Sequence, residues 1–278
     1  MNSRMKNRKQ LGILGVNLLA WILSLLLLAP LLLILVNSLK TSKEASYMSL
    51  ALTADPQWSN YTTVIEKGKL YTTFLNSLIY SFSSVLLCTL LSSMAAYVMS
   101  RNNRKLHGFL YIFIVLGIAM PINFVTLMRV MQFTRLMNKR IGIVLLYTAT
   151  QIPFNVFLIH SFVGKIPAEI DEAATIDGAA PMGLFLRVVL PLLKPVLVTV
   201  MVLTFLNTWN EFVMPLYFLD HSSKWPMTLA VYNFFGMYFK DWNLVCADIV
   251  LTSAPVILVY LIGQKYIVAG MTAGAIKG

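Results

Sequence analysis

Four of the eleven acidic residues of this chain fall between Glu169 and Asp177, in the stretch Lys165-Ile-Pro-Ala-Glu-Ile-Asp-Glu-Ala-Ala-Thr-Ile-Asp-Gly178. Clustered carboxylates can hold a metal, move protons or offer charge to a partner, and their company decides which. No histidine or cysteine stands at ligand spacing from them. The chain also lacks a nucleophile elbow, paired catalytic carboxylates in a soluble pocket and a Gly-x-x-x-x-Gly-Lys-Ser/Thr phosphate loop. Catalysis, a bound metal or cofactor, and nucleotide hydrolysis by this chain are therefore not expected. What remains is a charged surface on a hairpin. Pro167 suits the first turn of a short helix, and Glu169, Asp171 and Glu172 then sit at its positive N-terminal end, where the macrodipole favours carboxylates. Gly178 can adopt a left-handed conformation and stop that helix, and Pro181 can start the next. Ala173, Ala174, Ala179 and Ala180 give the hairpin a thin waist that admits close approach to a partner's groove.

A second set of polar groups lies within apolar stretches. Glu211 is the one acidic residue between Val188 and Leu219, and a carboxylate at membrane depth costs several kcal/mol unless it is paired, protonated or hydrated. Asn207 and Glu211 are four residues apart, so one continuous helix would place both on one face, with Asn210 beside them. Either these three line a translocation path or they clamp two helices together. Gln151 and Asn155 pose the same alternative one helix earlier, where a strip of amides near Tyr147 or Phe154 suits a sugar as well as it suits packing. Asn123 raises it too. His160 fits a snorkelling or hydrogen-bonded residue near a helix end, and Asp248 is expected near the outer interface.

The elements that carry these residues follow from composition. Apolar residues make up 58% of the chain and charged residues 12%, with a mean hydropathy of +0.74, outside the range of ordinary soluble domains. Six apolar stretches, roughly 11–36, 74–98, 109–131, 141–163, 188–219 and 244–268, are each long enough to cross a hydrocarbon core of about 30 Å. Backbone groups in lipid must be satisfied within the chain, and no alternating strand pattern is present. The expected architecture is an all-α membrane protein, one transmembrane domain over 1–278, with a cytoplasmic hairpin at 165–187 and a tail at 269–278. The net charge of +11 lies in the connections, as headgroup-level anchors and not as a nucleic-acid surface. Arg4 to Lys9 before the first stretch and Arg101, Arg104 and Lys105 after the second place both connections, and with six crossings both termini, in the cytoplasm. Arg129, Arg135, Lys139 and Arg140 break this pattern by falling outside. The first stretch is too long for a secretion signal and is expected to be retained. Cys88 and Cys246 lie far apart inside apolar stretches and fit small core residues. The aromatic segment from Asp220 to Asn243 suits an outer interfacial belt.

The hairpin resembles the cytoplasmic loop of the membrane components of binding-protein-dependent ABC importers. That loop carries Glu-Ala-Ala, three residues, Gly, nine residues, an aliphatic residue, one more, then Leu-Pro. Glu172, Ala173, Ala174, Gly178, Val188, Leu190 and Pro191 stand at these places. Asn76-Ser77, Ala95-Ala96-Tyr97 followed by Arg101, Trp209-Asn210-Glu211-Phe212 and the ending Gly270-Met-Thr-Ala-Gly-Ala-Ile-Lys-Gly278 are similar to the carbohydrate branch, in the half that resembles the maltose importer's shorter permease. The resemblance implies the type I importer fold of six transmembrane helices, in the inner membrane of a bacterial or archaeal cell. It further implies a coupling role for Glu169, Asp171, Glu172, Ala173, Ala174, Asp177, Gly178, Leu190 and Pro191 on an ATPase subunit. Thr272, Gly274 and Lys277 would be tail contacts, and the aromatic 220–243 segment would touch the binding protein and the sugar. The implied partners are a second permease, more in keeping with a different chain than a copy, two ATPase subunits that hold ATP and Mg2+, an extracytoplasmic sugar-binding protein, lipids and an oligosaccharide. Import of another solute, such as a glycerol phosphate or peptide, and a secondary transporter with its own ion site are the alternatives.

Overall fold

The computed structural model describes residues 2–102, 104–234 and 241–275, with side chains described over 13–266 of these. Every element among them is helical. In chain order they are α1 (Asn2–Asn37), α2 (Ser42–Ala45), α3 (Ser59–Lys67), α4 (Leu70–Arg101), α5 (Lys105–Leu116), α6 (Phe124–Phe133), α7 (Arg140–Val163), α8 (Glu169–Ile176) and α9 (Pro181–Leu184). A π turn over Phe185–Val189 leads into α10 (Leu190–Leu192), followed by α11 (Lys194–Asn210), α12 (Val213–Phe218), α13 (Met227–Ala230) and α14 (Trp242–Ala275).

Four helices are long and apolar enough to cross a membrane on their own: Ile13–Asn37, Leu70–Arg101, Arg140–Val163 and Trp242–Tyr266. The other two apolar stretches are not the single rods their length suggests. The third is split into α5 and α6, because Pro121 has no N–H to donate and its ring crowds the carbonyl four residues back, at Gly117. The break lies against α7, where a Cβ on Gly117 would sit 2.9 Å from the ring of Pro153. Asn123 caps α6 by accepting from Thr126 N–H at 3.0 Å, a backbone task that accounts for one polar residue of the apolar stretches. The fifth stretch bends by 79° between Pro181–Leu192 and Lys194–Asn210, and its helix stops at Asn210.

The chain divides into two compact units. The first joins residues 1–70 to 230–253. Within it α1 emerges bare, with Leu25, Leu26, Leu27 and Leu31 all largely exposed. The chain then folds tightly: Asn60 Nδ2 donates to the carbonyls of Ser38 and Lys40, both at 2.9 Å, and Asn243 Nδ2 donates to Asn60 Oδ1 at 2.8 Å. A capping box closes α2, with Glu44 N–H on Thr41 Oγ1 and Thr41 N–H on the Glu44 carboxylate.

The second unit joins 71–229 to 254–278, and two apolar clusters fill it. One gathers Ala96, Val156, Ile159, Val163, Phe185, Val189 and Val200 from α4, α7, the π turn and α11. The other gathers Tyr80, Met131, Ile143, Tyr147, Met214 and Phe218. Lipid tails are as apolar as leucine, so contact and hydrogen bonding between helices, not water exclusion, must hold such packing. Gly263 shows how close the helices come, since a Cβ there would lie 2.7 Å from Val202 Cγ1. Thr199 Oγ1 donates to Tyr266 O at 2.8 Å along the same seam.

Candidate functional site

The hairpin is built almost wholly by local rules. Pro167 stands just ahead of α8, not in its first turn: the helix begins at Glu169 with Ala168 as its N-cap and no side-chain cap. Glu169, Asp171 and Glu172 occupy that uncapped first turn, where exposed N–H groups attract carboxylates. At the other end Gly178 N–H bonds Thr175 O and Ala179 N–H bonds Ala174 O, both at 3.0 Å, the paired bonds of a Schellman stop. Gly178 has φ +84°, and no atom lies within 4 Å of a Cβ built there. Its left-handed backbone, not crowding, therefore requires glycine. Pro181 then occupies the first turn of α9.

Tertiary contacts divide the four carboxylates. Asp171 turns inward: its Oδ2 accepts from Arg101 Nε at 2.7 Å and from Tyr97 OH at 3.0 Å, with only 19% and 14% of the Arg101 and Asp171 side chains exposed. Arg101 also reaches Pro167 O at 3.5 Å. This is the one ion pair among the described residues, and it ties α8 to the end of α4. Below it, Phe185 and Val189 are buried in the first apolar cluster, and the Tyr97 and Phe185 rings lie 5.7 Å apart. Glu169, Glu172, Ala173, Asp177, Gly178 and Pro191 are exposed, Ala174 and Leu190 half-buried. Ile176 is 85% exposed between the acids, an apolar side chain presented outward at the tip of a charged hairpin. The sequence held the signal for the anchor, since Tyr97 and Arg101 are four apart on one helix face, but only the fold shows that Asp171 is their partner.

The amides of α7 do face one way, toward α11. Asn155 is fully buried, and its Nδ2 donates to Thr204 Oγ1 at 2.9 Å and to Cys88 Sγ at 3.0 Å, so it joins α4, α7 and α11. Gln151 Oε1 accepts from Asn207 Nδ2 at 3.0 Å in an exposed part of the same seam. Asn210, also exposed, donates back to Leu206 O at 2.8 Å. The shared helix face of Asn207 and Glu211 does not exist, because α11 ends at Asn210 and Glu211 is extended, with ψ 123°. Its carboxylate accepts from the N–H groups of Val213 and Met214 at 2.8 and 3.0 Å, so those two free donors at the start of α12 stabilise the charge. His160 stacks on Tyr111 with centroids 3.9 Å apart. Asp248 is buried within α14, 1% exposed. Of the aromatic segment, Phe235, Tyr238 and Phe239 lie outside the described residues, Trp225 donates to Leu219 O, and Phe234 is buried against Gly68. The tail residues Thr272 and Gly274 lie in α14, where side chains are not described, and Lys277 lies outside the described residues.

The family model of the binding-protein-dependent transport system inner membrane component matches residues 88–273, a stretch that holds the hairpin and the α7–α11 amide seam. The probable starch degradation products transport system permease protein AmyC of Thermoanaerobacterium thermosulfurigenes is 32% identical over 257 residues, 92% of this chain and 94% of its own. The melibiose/raffinose/stachyose import permease protein MelC of Bacillus subtilis is 30% identical over 266 residues, 95% and 96% of the two chains. A chain of a bacterial ABC transporter involved in the import of the acidic polysaccharide alginate has the same fold, with a TM-score of 0.81 at 24% identity over 93% of this chain and 96% of that one. This chain belongs to the family of inner membrane components of binding-protein-dependent transport systems: it is an all-helical ABC importer permease and not a catalytic subunit.

Proposed function

We propose that this chain carries sugars, most naturally oligosaccharides, across the inner membrane, and that its 165–187 hairpin is the element through which an ATPase drives it. The sugar assignment is supported by relatives that are similar over nine-tenths of the chain and whose names specify starch products or raffinose-type sugars. One observation carries the coupling assignment. A single carboxylate, Asp171, fastens the hairpin to α4, while Glu169, Glu172 and Asp177 are left without intramolecular ion pairs among the described residues and Ile176 protrudes beside them. A lever needs such a division, a fixed root and a free charged tip.

In this scheme two ATPase subunits hold ATP and Mg2+ at the cytoplasmic face, a second permease of different sequence completes the membrane pair, and an extracytoplasmic binding protein delivers sugar. Both termini, and the tail with Thr272, Gly274 and Lys277, face the cytoplasm. ATP shifts the ATPase pair toward its closed form, the hairpin moves with it, and the helices pass between inward-open and outward-open arrangements. The work comes from the differential affinity of ATP for the two states, because a ligand that binds both equally shifts neither. Asn207, Gln151, Asn210 and Glu211 line or flank the sugar path at the exposed part of the α7–α11 seam, while Asn155 holds that seam together. The decisive experiment is a crosslinker at Ala173→Cys in membranes that contain the neighbouring genes' products. Capture of an ATPase subunit, modulated by ATP, is expected; capture of none, or labelling only by an impermeant reagent added from outside, overturns the assignment.

A further inference from the structure

The segment between α1 and α3 precedes the stretch that the family description matches, and it contains a cavity of about 370 Å3. That is within the roughly 300–1,000 Å3 usual for small-molecule sites. Its wall holds a buried cation. Lys40 is 2% exposed, and its Nζ donates to Ser49 O at 2.7 Å, Ser49 Oγ at 3.0 Å and Asn37 Oδ1 at 3.2 Å. All three acceptors are neutral, and no carboxylate pairs with it among the described residues. The Glu44 carboxylate in the same wall attracts it without direct contact, and burying an ammonium with no carboxylate bonded to it is costly, so this lysine needs a reason to be there.

The same wall carries backbone strain. Met48 has φ +45°, a left-handed conformation that costs a non-glycine residue of order 1–3 kcal/mol and persists only where the surroundings over-determine it. Those surroundings are visible. Asn37 Nδ2 and Lys40 Nζ both grip Ser49 O, at 3.0 and 2.7 Å, and Met48 N–H bonds Ala45 O at 3.0 Å, with Ala45 wholly buried. Gln57 N–H closes the base of the loop on Leu39 O at 2.7 Å. The cavity is thus held open in advance and does not have to be shaped by its occupant.

Its chemistry selects the occupant. Lys43 offers ammonium donors, Glu44 carboxylate acceptors, Ser49 and Thr53 hydroxyls, and Tyr47 a ring that is 75% exposed. Charges of both signs line one small space, which disfavours a simple anion or cation and favours a neutral molecule rich in groups that both donate and accept. The exposed tyrosine supplies the flat apolar face on which the C–H side of a pyranose ring stacks. We propose that this cavity is a sugar subsite on the permease itself, a landing place for one ring of the transported oligosaccharide. It rests on the sugar-import function proposed above. Lys40 spends all its protons on the wall and acts as a brace, and Tyr47, Lys43 and Thr53 make the contacts.

The test uses the chain co-purified with its companion subunits in lipid nanodiscs, without the binding protein, and saturation-transfer NMR with maltotriose, raffinose and stachyose as probes. Expected are signals from one ring of at least one probe, about 3- to 10-fold weaker binding in Tyr47→Ala, and retention in Tyr47→Phe, which keeps the ring. Equal binding by wild type and Tyr47→Ala overturns the subsite, as does no binding of a probe that cells expressing the wild type do take up. If those cells take up none of the three sugars, the sugar-import function fails and the subsite fails with it.

Discussion

The acidic hairpin and the α7–α11 seam are both polar, and they dispose of their polarity in opposite ways. In the seam, Asn155 turns its amide into a fully buried bridge between Thr204 and Cys88, and just past it the Glu211 carboxylate accepts from two backbone N–H groups of its own chain. In the hairpin one acid of four is used internally and the rest point away. The difference follows from the medium. At membrane depth an unsatisfied polar group costs several kcal/mol, so the fold engages the Asn155 amide N–H groups and the Glu211 carboxylate locally and leaves Asn155 Oδ1 as the buried exception. At a wet surface an exposed carboxylate costs nothing, and its placement is free to serve a partner. Polar residues in the two regions therefore carry different information: the exposed acids are available for the proposed association, the buried amides show chiefly how helices are joined.

Mutations should separate the two regions by what they damage. The largest effect is expected at the hairpin tip, where Glu172→Lys reverses the sign of an exposed docking charge and should lower ATP-coupled sugar uptake at least about 10-fold by opposing a complementary partner. Membrane abundance and thermal midpoint of the permease should hardly change. Uptake at the wild-type rate would erase the contrast. Asn155→Leu should do the reverse, destabilising the bundle by about 1–3 kcal/mol through loss of a fully buried pair of hydrogen bonds. A thermal-shift assay in detergent reads this as a lowered midpoint, with sugar preference unaltered among molecules that remain folded.

Asp171→Asn tests the boundary case, an acid of the hairpin that is used like a residue of the core. Its ion pair is partly open to solvent, so the cost is discounted to about 1–2 kcal/mol, and hydrogen exchange should report loosening confined to α8 and the end of α4. Asn207→Ala removes an exposed amide pair and should change stability by under about 0.5 kcal/mol, yet alter the relative uptake of two oligosaccharides; unchanged selectivity would move Asn207 to the structural side. The smallest effect is expected at Glu44, where first the backbone N–H and then the hydroxyl of Thr41 hold the carboxyl below its ordinary value of 4.5. A group with a depressed folded pKa contributes stability above its unfolded value and loses it as pH falls through the folded one. Amide protection at the end of α2 should therefore decline in acid below pH 4.5, and Glu44→Gln should abolish that pH dependence.

How much of this was legible beforehand depended on the range of the interaction. Gly178, Pro181 and the run of first-turn carboxylates act within a few residues of themselves, and the hairpin they encode was apparent with one misplacement, that of Pro167. The break between α5 and α6 was less apparent, because Pro121 reads equally as a kink within a continuous span. The shared face assigned to Asn207 and Glu211 assumed that a continuous apolar stretch means a continuous helix. The free N–H groups at the start of α12 make an extended Glu211 the cheaper arrangement, and no periodicity argument contains that alternative. Lys40 gave no sequence signal at all, as one lysine among many in the connections.

The sequence by itself settled the medium, the helical class and the presence of an acidic, glycine-stopped hairpin, since hydropathy, capping and left-handed dihedrals are properties of neighbouring residues. Only the tertiary structure decided which acid anchors and which are offered, that Asn155 bridges three helices, and that Lys40 braces a cavity. The first two depend on what a side chain meets from residues tens of positions away, as Asp171 meets Arg101, and the third on a loop that folds Ser49 back onto Lys40; spacing along the chain does not encode such encounters.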